Sequence, residues 1–109
     1  MRIALHSELR HGRVDDYLAH HVRIPVELVH AFELAGISHW TIWRSGHRLF
    51  HLVECGDWDH ALRTLEDDPA NLAWQAKIGE YVELFRDSDG DAAMSPLEKV
   101  WDLRDQISL

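Results

Sequence analysis

Hydrophobic and polar positions alternate from Arg2 to Leu9: Ile3, Leu5, Ser7 and Leu9 face one way, Arg2, Ala4, His6 and Glu8 the other. This two-residue period predicts a strand. Arg10-His11-Gly12 reads as a turn, and Arg13 to about Val22 as a short helix with Asp15 and Asp16 in its first turn, where they complement the helix dipole. A second helix starts at Pro25, which suits a first helical position because its missing N–H is not needed there. Leu28, Ala31, Phe32 and Ala35 form its buried stripe, and Gly36 ends it. Ser38 to Arg44 returns to strand character, with Trp40 and Ile42 on one face and His39, Thr41 and Trp43 on the other. Ser45-Gly46 is a tight hairpin signal, and His47 to Cys55 a third strand, with Leu49, His51 and Val53 opposite Phe50, Leu52 and Glu54.

Asp57 caps the next helix, in which Trp58, Ala61, Leu62 and Leu65 recur at helical spacing. Asp67-Asp68-Pro69 interrupts and restarts it. Trp74, Ile78, Tyr81 and Phe85 then make one stripe of a helix from Pro69 to Phe85. Residues 86–95 read as a polar, glycine-containing loop, and Leu97 to Leu103 as a last strand. The resulting order is βαββαβ, that of a ferredoxin-like α+β sandwich: an antiparallel sheet with helices on one face. The 109 residues suit a single domain, 1–109. Both faces of the central strands are largely apolar. Packing two sheets face to face buries the second face, so the pattern predicts a homodimer, a dimeric α/β barrel.

Charge narrows the partners. A formal net charge of -8 argues against nucleic acid, whose binding rests on phosphate neutralisation, and Arg10, Arg13, Arg44 and Arg48 form no dense basic cluster. No run of about 18 apolar residues points to a membrane. Met1 to Leu9 does not read as a secretory signal, and the single Cys55 has no internal disulfide partner, so the expected compartment is the cytoplasm.

Nine histidines raise the question of a metal, yet no CxxC, HExxH or HxH pattern occurs. Only an assembly across strands, such as His6, His39 and His51, remains open. No GxSxG elbow or glycine-rich phosphate loop precedes a helix, and Cys55 reads as a small core residue. Acid–base chemistry without a cofactor needs a group that titrates near neutral pH and a second polar group in reach. At about 100° per residue, Val14, Tyr17, Leu18 and His21 share one arc of the first helix. His21 therefore faces inward beside Tyr17, either as a satisfied core histidine or as a proton carrier. His20 faces outward beside Asp16.

An ordered set of residues extends this reading. Arg2-Ile3-Ala4-Leu5, Tyr17-x-x-x-His21, Glu27-Leu28, Gly36, Trp40-x-Ile42-Trp43, Leu49-Phe50-x-x-Val53-Glu54, Trp74 and Val100-Trp101 together resemble the L-rhamnose mutarotases. These are small, cofactor-free dimers of ferredoxin-like subunits that interconvert the α and β anomers of L-rhamnose or a related deoxy-sugar. The resemblance runs from about Arg2 to Leu103. It implies that His21 is the acid that protonates the sugar ring oxygen and recovers the proton, and that Tyr17, Trp40, Trp74 and Gln75 touch the sugar. Three places depart from the family: Trp40 stands where tyrosine is usual, Trp74-Gln75 replaces a tandem Trp-Trp, and Pro25-Val26 replaces Trp-Pro before Glu-Leu. All three are expected at the sugar pocket.

The expected function is thus an aldose 1-epimerase with a monosaccharide substrate and neither cofactor nor metal. Two rivals remain at this level. One is a dimeric α/β-barrel binding protein, or a small oxygenase or cyclase, for an aromatic ligand, which the five tryptophans also suit. The other is a structural dimer without chemistry. Polar, hydroxyl-binding groups around His21 favour the sugar; a uniformly apolar cavity favours the aromatic ligand.

Overall fold

The structure is a computed structural model that describes residues 1–83 and 96–107. In chain order its elements are β1 (Arg2–Glu8), α1 (Val14–His20), α2 (Val26–Leu34), β2 (Ile37–Ser45), β3 (Arg48–Cys55), α3 (Trp58–Glu66), α4 (Pro69–Ile78) and α5 (Leu103–Ile107). β3 lies between β1 and β2 in an antiparallel sheet of order β1-β3-β2. The α+β class with helices on one sheet face is as the hydrophobic pattern predicts. Gly46, at φ 58, allows the two-residue turn that joins Ser45 to Arg48. Gly36, at φ 79, reverses the chain between α2 and β2.

Alternation along the strands sends Ile3, Leu5, Leu49, Val53 and Cys55 to the inner face, where all are buried. All but Leu49 meet Ala31 of α2, Ala35 just beyond its end, and Trp58, Ala61 and Leu65 of α3 in one core cluster. A second cluster gathers Leu9, Tyr17, Leu49, Tyr81 and Val82 at the other end of the sheet. α3 and α4 are held by the expected caps: Asp57 accepts from His60 N–H at 3.3 Å, and Asp68 from Asn71 N–H at 3.0 Å with Pro69 opening the helix.

Four expectations change. Pro25 is the residue before α2 rather than its first; its extended ψ of 148° turns its carbonyl onto the N–H groups of Leu28 and Val29. α1 ends at His20, so His21 is its C-cap. α4 stops at Ile78, short of Phe85. Gly79, a poor helix former, lets the chain leave. Arg10 N–H then bonds Tyr81 carbonyl and Glu83 N–H bonds Glu8 carbonyl, so ladder bonds at the end of β1 replace further helical ones. Phe85 and the polar stretch 86–95 lie outside the described residues.

The fourth change concerns the last strand. Leu97 N–H donates to Ala4 carbonyl at 2.7 Å on the outer edge of β1, but residues 96–102 form no regular strand. Val100 and Trp101 are 90% and 65% exposed, so no apolar burial holds that segment in place. Local bonds favour a helix instead: Asp102 accepts from Arg104 N–H, Lys99 pairs with Asp105, and Trp101 donates to Gln106. The outer sheet face is open in the single chain, with Trp43 and Phe50 paired across strands and 55% and 41% exposed. Among the described residues no helix is long and apolar enough to cross a membrane.

Candidate functional site

The two core clusters leave a gap on the inner sheet face. Along β1 the inward residues are Leu5, Ser7 and then Leu9 beyond the strand end; along β3 they are Val53, His51 and Leu49. The middle position of each row is polar, and both Ser7 and His51 are buried. Above this gap lies a cavity of about 630 Å³, closed by the end of α1, the inner side of α2 and one face of α4. Its size is in the usual range for a small-molecule site. Tyr17, His21, Trp40, Trp74 and Gln75 all line it, together with Ser7 and His51.

Tyr17 and His21 meet because α1 is still helical where it ends. The His21 N–H closes the last turn on the Tyr17 carbonyl at 2.9 Å, and the two rings stand 5.2 Å apart. The Trp74 indole, on α4, lies edge-on to the His21 ring at 5.1 Å. Burial lowers the His21 pKa from its ordinary value, and the neighbouring His20 adds to this; a hydrogen bond with its own backbone partly opposes it. The resting imidazole at pH 7 is therefore neutral, with one nitrogen able to accept and the other to donate. Burial pushes the Tyr17 phenol up to about 12, so it remains a protonated donor.

His20 does not lie where helical phase puts it. Asp16 is taken by Arg13 at 2.8 Å, and the His20 ring stacks on Trp74 at 4.7 Å and leans on Tyr81 at 5.7 Å. A terminal helical residue swings out of phase readily, and the Trp74 and Tyr81 rings offer it aromatic surface. Trp74 thus separates the main cavity from a shallower one bordered by His20, Pro25, Glu27, Asp68 and Lys77. Pro25 and Val26, expected at the sugar pocket, do not line the main cavity. Pro25 borders the shallow one and Val26 is 62% exposed, while the adjacent Ile24 and Leu28 are the residues that reach in.

Trp40 is half-buried. Its ring stacks on Phe32 at 5.5 Å and meets Trp58 edge-on, so much of it belongs to the core. Its indole N–H donates to His51 Nδ1 at 3.1 Å. His51 Nε2 faces the Ser7 hydroxyl at 3.3 Å. Burial first, then the charges of His21 and His6, pull the His51 pKa down to about 4. Alternation groups Ser7 with Leu5 and Leu9, and His51 with Leu49 and Val53, but does not say which face is inward and gives neither residue a role in the pocket. The signal was there: each is a polar residue interrupting the apolar side of an alternating strand.

Among the described residues no three His, Cys, Asp or Glu side chains gather as a metal site would require. His6, His39 and His51 are not brought together. His51 is inward, His6 is on the other alternation of its strand, and His39 bonds the Thr41 hydroxyl at 2.9 Å. Cys55 is buried in the core. The groups around His21 are mixed: Tyr17, Ser7, Gln75 and Arg44 supply polar atoms among Ile24, Leu28, Phe32 and Trp74.

The chain is similar to known proteins in sequence and in fold. The sequence model of a family described as L-rhamnose mutarotase matches residues 2–103. An L-rhamnose mutarotase of Sinorhizobium medicae (strain WSM419) is 31% identical over 105 residues, which cover 94% of this chain and 98% of that protein. The crystal structure of an L-rhamnose mutarotase from Formosa agariphila is similar with a TM-score of 0.74 at 19% identity, over 94% of this chain and 98% of the other. At that identity the structural likeness concerns the fold.

Proposed function

The chain belongs to the L-rhamnose mutarotase family, and on that premise we propose that it is an aldose 1-epimerase acting on L-rhamnose or a related 6-deoxy-sugar. The observation that carries the reading is the placement of His21: it lines a cavity with both apolar and hydroxyl-binding walls, one helical turn from Tyr17 and edge-on to Trp74. A uniformly apolar wall would have favoured the aromatic-ligand alternative. In this reading residues 1–109 act as one unit, in a cytoplasmic homodimer whose subunits meet through the open outer sheet face.

Mutarotation requires one proton to leave the anomeric hydroxyl and one to reach the ring oxygen. These two oxygens share C1, so a single group can serve both. Neutral His21 accepts the anomeric proton as the C1–ring oxygen bond breaks and the C1–hydroxyl oxygen bond becomes a carbonyl. The imidazolium then gives that proton to the departing ring oxygen, leaving an open-chain aldehyde. Rotation about C1–C2 and the reverse transfers close the ring on the other carbonyl face. The lowered His21 pKa favours this base-first order over one that starts from a charged acid. Tyr17 donates to a sugar hydroxyl, Trp74 covers the apolar sugar face including the 6-methyl, Trp40 supplies apolar wall, and Gln75 reaches the cavity from the exposed side of α4. The chemistry is proton transfer alone and calls for no redox or Lewis-acid group.

The test is saturation-transfer NMR of L-rhamnose and L-fucose at equilibrium. Accelerated exchange between anomers is expected with the wild type and not with His21→Ala. No acceleration of either sugar by the wild type would sink the reading, and undiminished exchange in the variant would remove His21 from its role.

A further inference from the structure

We propose that Trp40, His51 and Ser7 form a one-way hydrogen-bond relay across the three strands, and that its end, the Ser7 hydroxyl, is a donor that selects one oxygen of the bound sugar. The proposal rests on the mutarotase reading for the identity of the ligand.

The direction of the relay follows from chemistry. An indole N–H only donates, so His51 Nδ1, at 3.1 Å from it, must be the accepting nitrogen. A neutral imidazole then carries its proton on Nε2, which points at Ser7 Oγ at 3.3 Å. Ser7 Oγ is the acceptor of that bond, so its own proton is directed elsewhere. Among the described residues no other hydrogen bond of the Ser7 side chain occurs. Ser7 is 4% exposed and lines the cavity at the gap between the two core clusters. The remaining place for its proton is the cavity.

The register makes this geometry firm. Leu5 stands opposite His51 and Ser7 opposite Leu49, so Ser7 and His51 are diagonal neighbours on adjacent strands. On the other side Ile42 stands opposite His51 and Trp40 opposite Val53, which makes Trp40 the second diagonal neighbour. All three side chains sit on the inner face, and each is fixed by its strand. Burial and the nearby His21 hold His51 neutral, so it keeps the same donor and acceptor assignment while His21 gains and loses a proton. His51 is thus a positioning residue that acts through Ser7, and Ser7 is a binding residue. Leucine and alanine at these two positions would have closed the gap with apolar atoms. Two buried polar groups there each need a partner to offset the hydration they lose. The relay satisfies both and leaves one directed donor for a hydroxylated ligand.

Two measurements test it. In the sugar-free wild type, long-range 1H–15N NMR of the His51 ring is expected to show the Nε2–H tautomer, neutral throughout pH 5.5–8. A charged ring or an Nδ1–H tautomer in that range would overturn the relay whatever the protein's activity. The second measurement is anomer exchange of L-rhamnose and its 2-, 3- and 4-deoxy analogues. In Ser7→Ala the KM for L-rhamnose is expected to rise about tenfold with kcat within about twofold, the signature of a lost uniform binding contact. One deoxy analogue should lose about tenfold in kcat/KM with the wild type and nothing with Ser7→Ala. His51→Leu should behave as Ser7→Ala. His51→Gln, whose amide can accept from Trp40 and donate to Ser7, should restore KM to within about threefold of the wild type; a merely space-filling role would show no such rescue. Wild-type activity with an unchanged KM in Ser7→Ala would overturn the proposal alone. Inactivity of the wild type on every deoxy-aldose would instead overturn the mutarotase reading, and with it the sugar-binding role of Ser7.

Discussion

His20 lies flat on Trp74, with ring centroids 4.7 Å apart and planes 20° apart, although the next residue, His21, meets the same indole edge-on at 89°. The two adjacent histidines therefore hold Trp74 from two directions. Only His21 lines the main cavity, and His20 Nε2 is buried with no hydrogen-bond partner among the described residues.

That orphaned nitrogen makes the first prediction. A buried polar atom without a partner costs roughly 1–3 kcal/mol, while the stacking surface is retained by any aromatic ring of similar size. His20→Phe is expected to raise the unfolding free energy by about 1 kcal/mol, read from urea denaturation, with anomer exchange unchanged. A loss of stability would mean that His20 Nε2 has a partner in solution.

The second prediction concerns His21. Removing a general acid–base group costs about 10²–10⁴ in rate, so exchange with His21→Ala should fall to near the spontaneous level. The pH profile carries the sign. Burial lowers the folded pKa from 6.5, and the base-first mechanism uses the neutral ring. The wild-type kcat/KM should be flat from neutral pH upward and fall on acidification, with its midpoint below 6.5. A midpoint above 6.5 would show that burial does not lower the His21 pKa, and a rate that rises on acidification would refute the base-first order.

The sequence carried the fold class and the inward position of His21, because both depend on local periodicity. Alternation in β1 and β3 and the helical stripe of α2 are set by which side chains are apolar. It failed at Pro69 to Phe85, where the stripe continues past Ile78 but Tyr81 and Val82 are buried by backbone pairing with the end of β1 instead. No local pattern records that competition. It failed again at His20, because phase arguments assume a helix that continues, and α1 ends there. Ser7 and His51 lie between these cases. Their faces were legible from alternation, but the diagonal register that joins them to Trp40 is a property of three strands at once.

The third prediction is a stability effect of His51. Its pKa falls from 6.5 in the unfolded chain to about 4 in the folded protein. Between these values the unfolded chain binds more protons, so stability must rise with pH through that window. The contribution is fully present above pH 6.5 and is lost as pH falls through about 4. For a group this buried, the shift corresponds to on the order of 3 kcal/mol. Urea titrations at pH 7 and pH 4.5 should therefore differ more for the wild type than for His51→Gln, which has no proton to bind. Equal pH dependence in the two proteins would show that His51 is not held neutral by the fold.

The last prediction addresses the outer sheet face. Trp43 and Phe50 are cross-strand partners on that face and are 55% and 41% exposed, with Ala4 and Leu52 beside them. Inner-face burial is complete without them, so a charge at Phe50 disturbs no core contact. In the proposed homodimer the two faces meet across a two-fold axis, so Phe50→Glu places two like charges together in an apolar interface, and the chain is already acidic at -8. Light scattering after gel filtration should give twice 12.7 kDa for the wild type and 12.7 kDa for Phe50→Glu, with unchanged far-UV circular dichroism. A folded variant that remains dimeric would move the interface to another surface. A monomeric wild type at micromolar concentration would remove the homodimer itself and leave the outer face without the partner proposed for it.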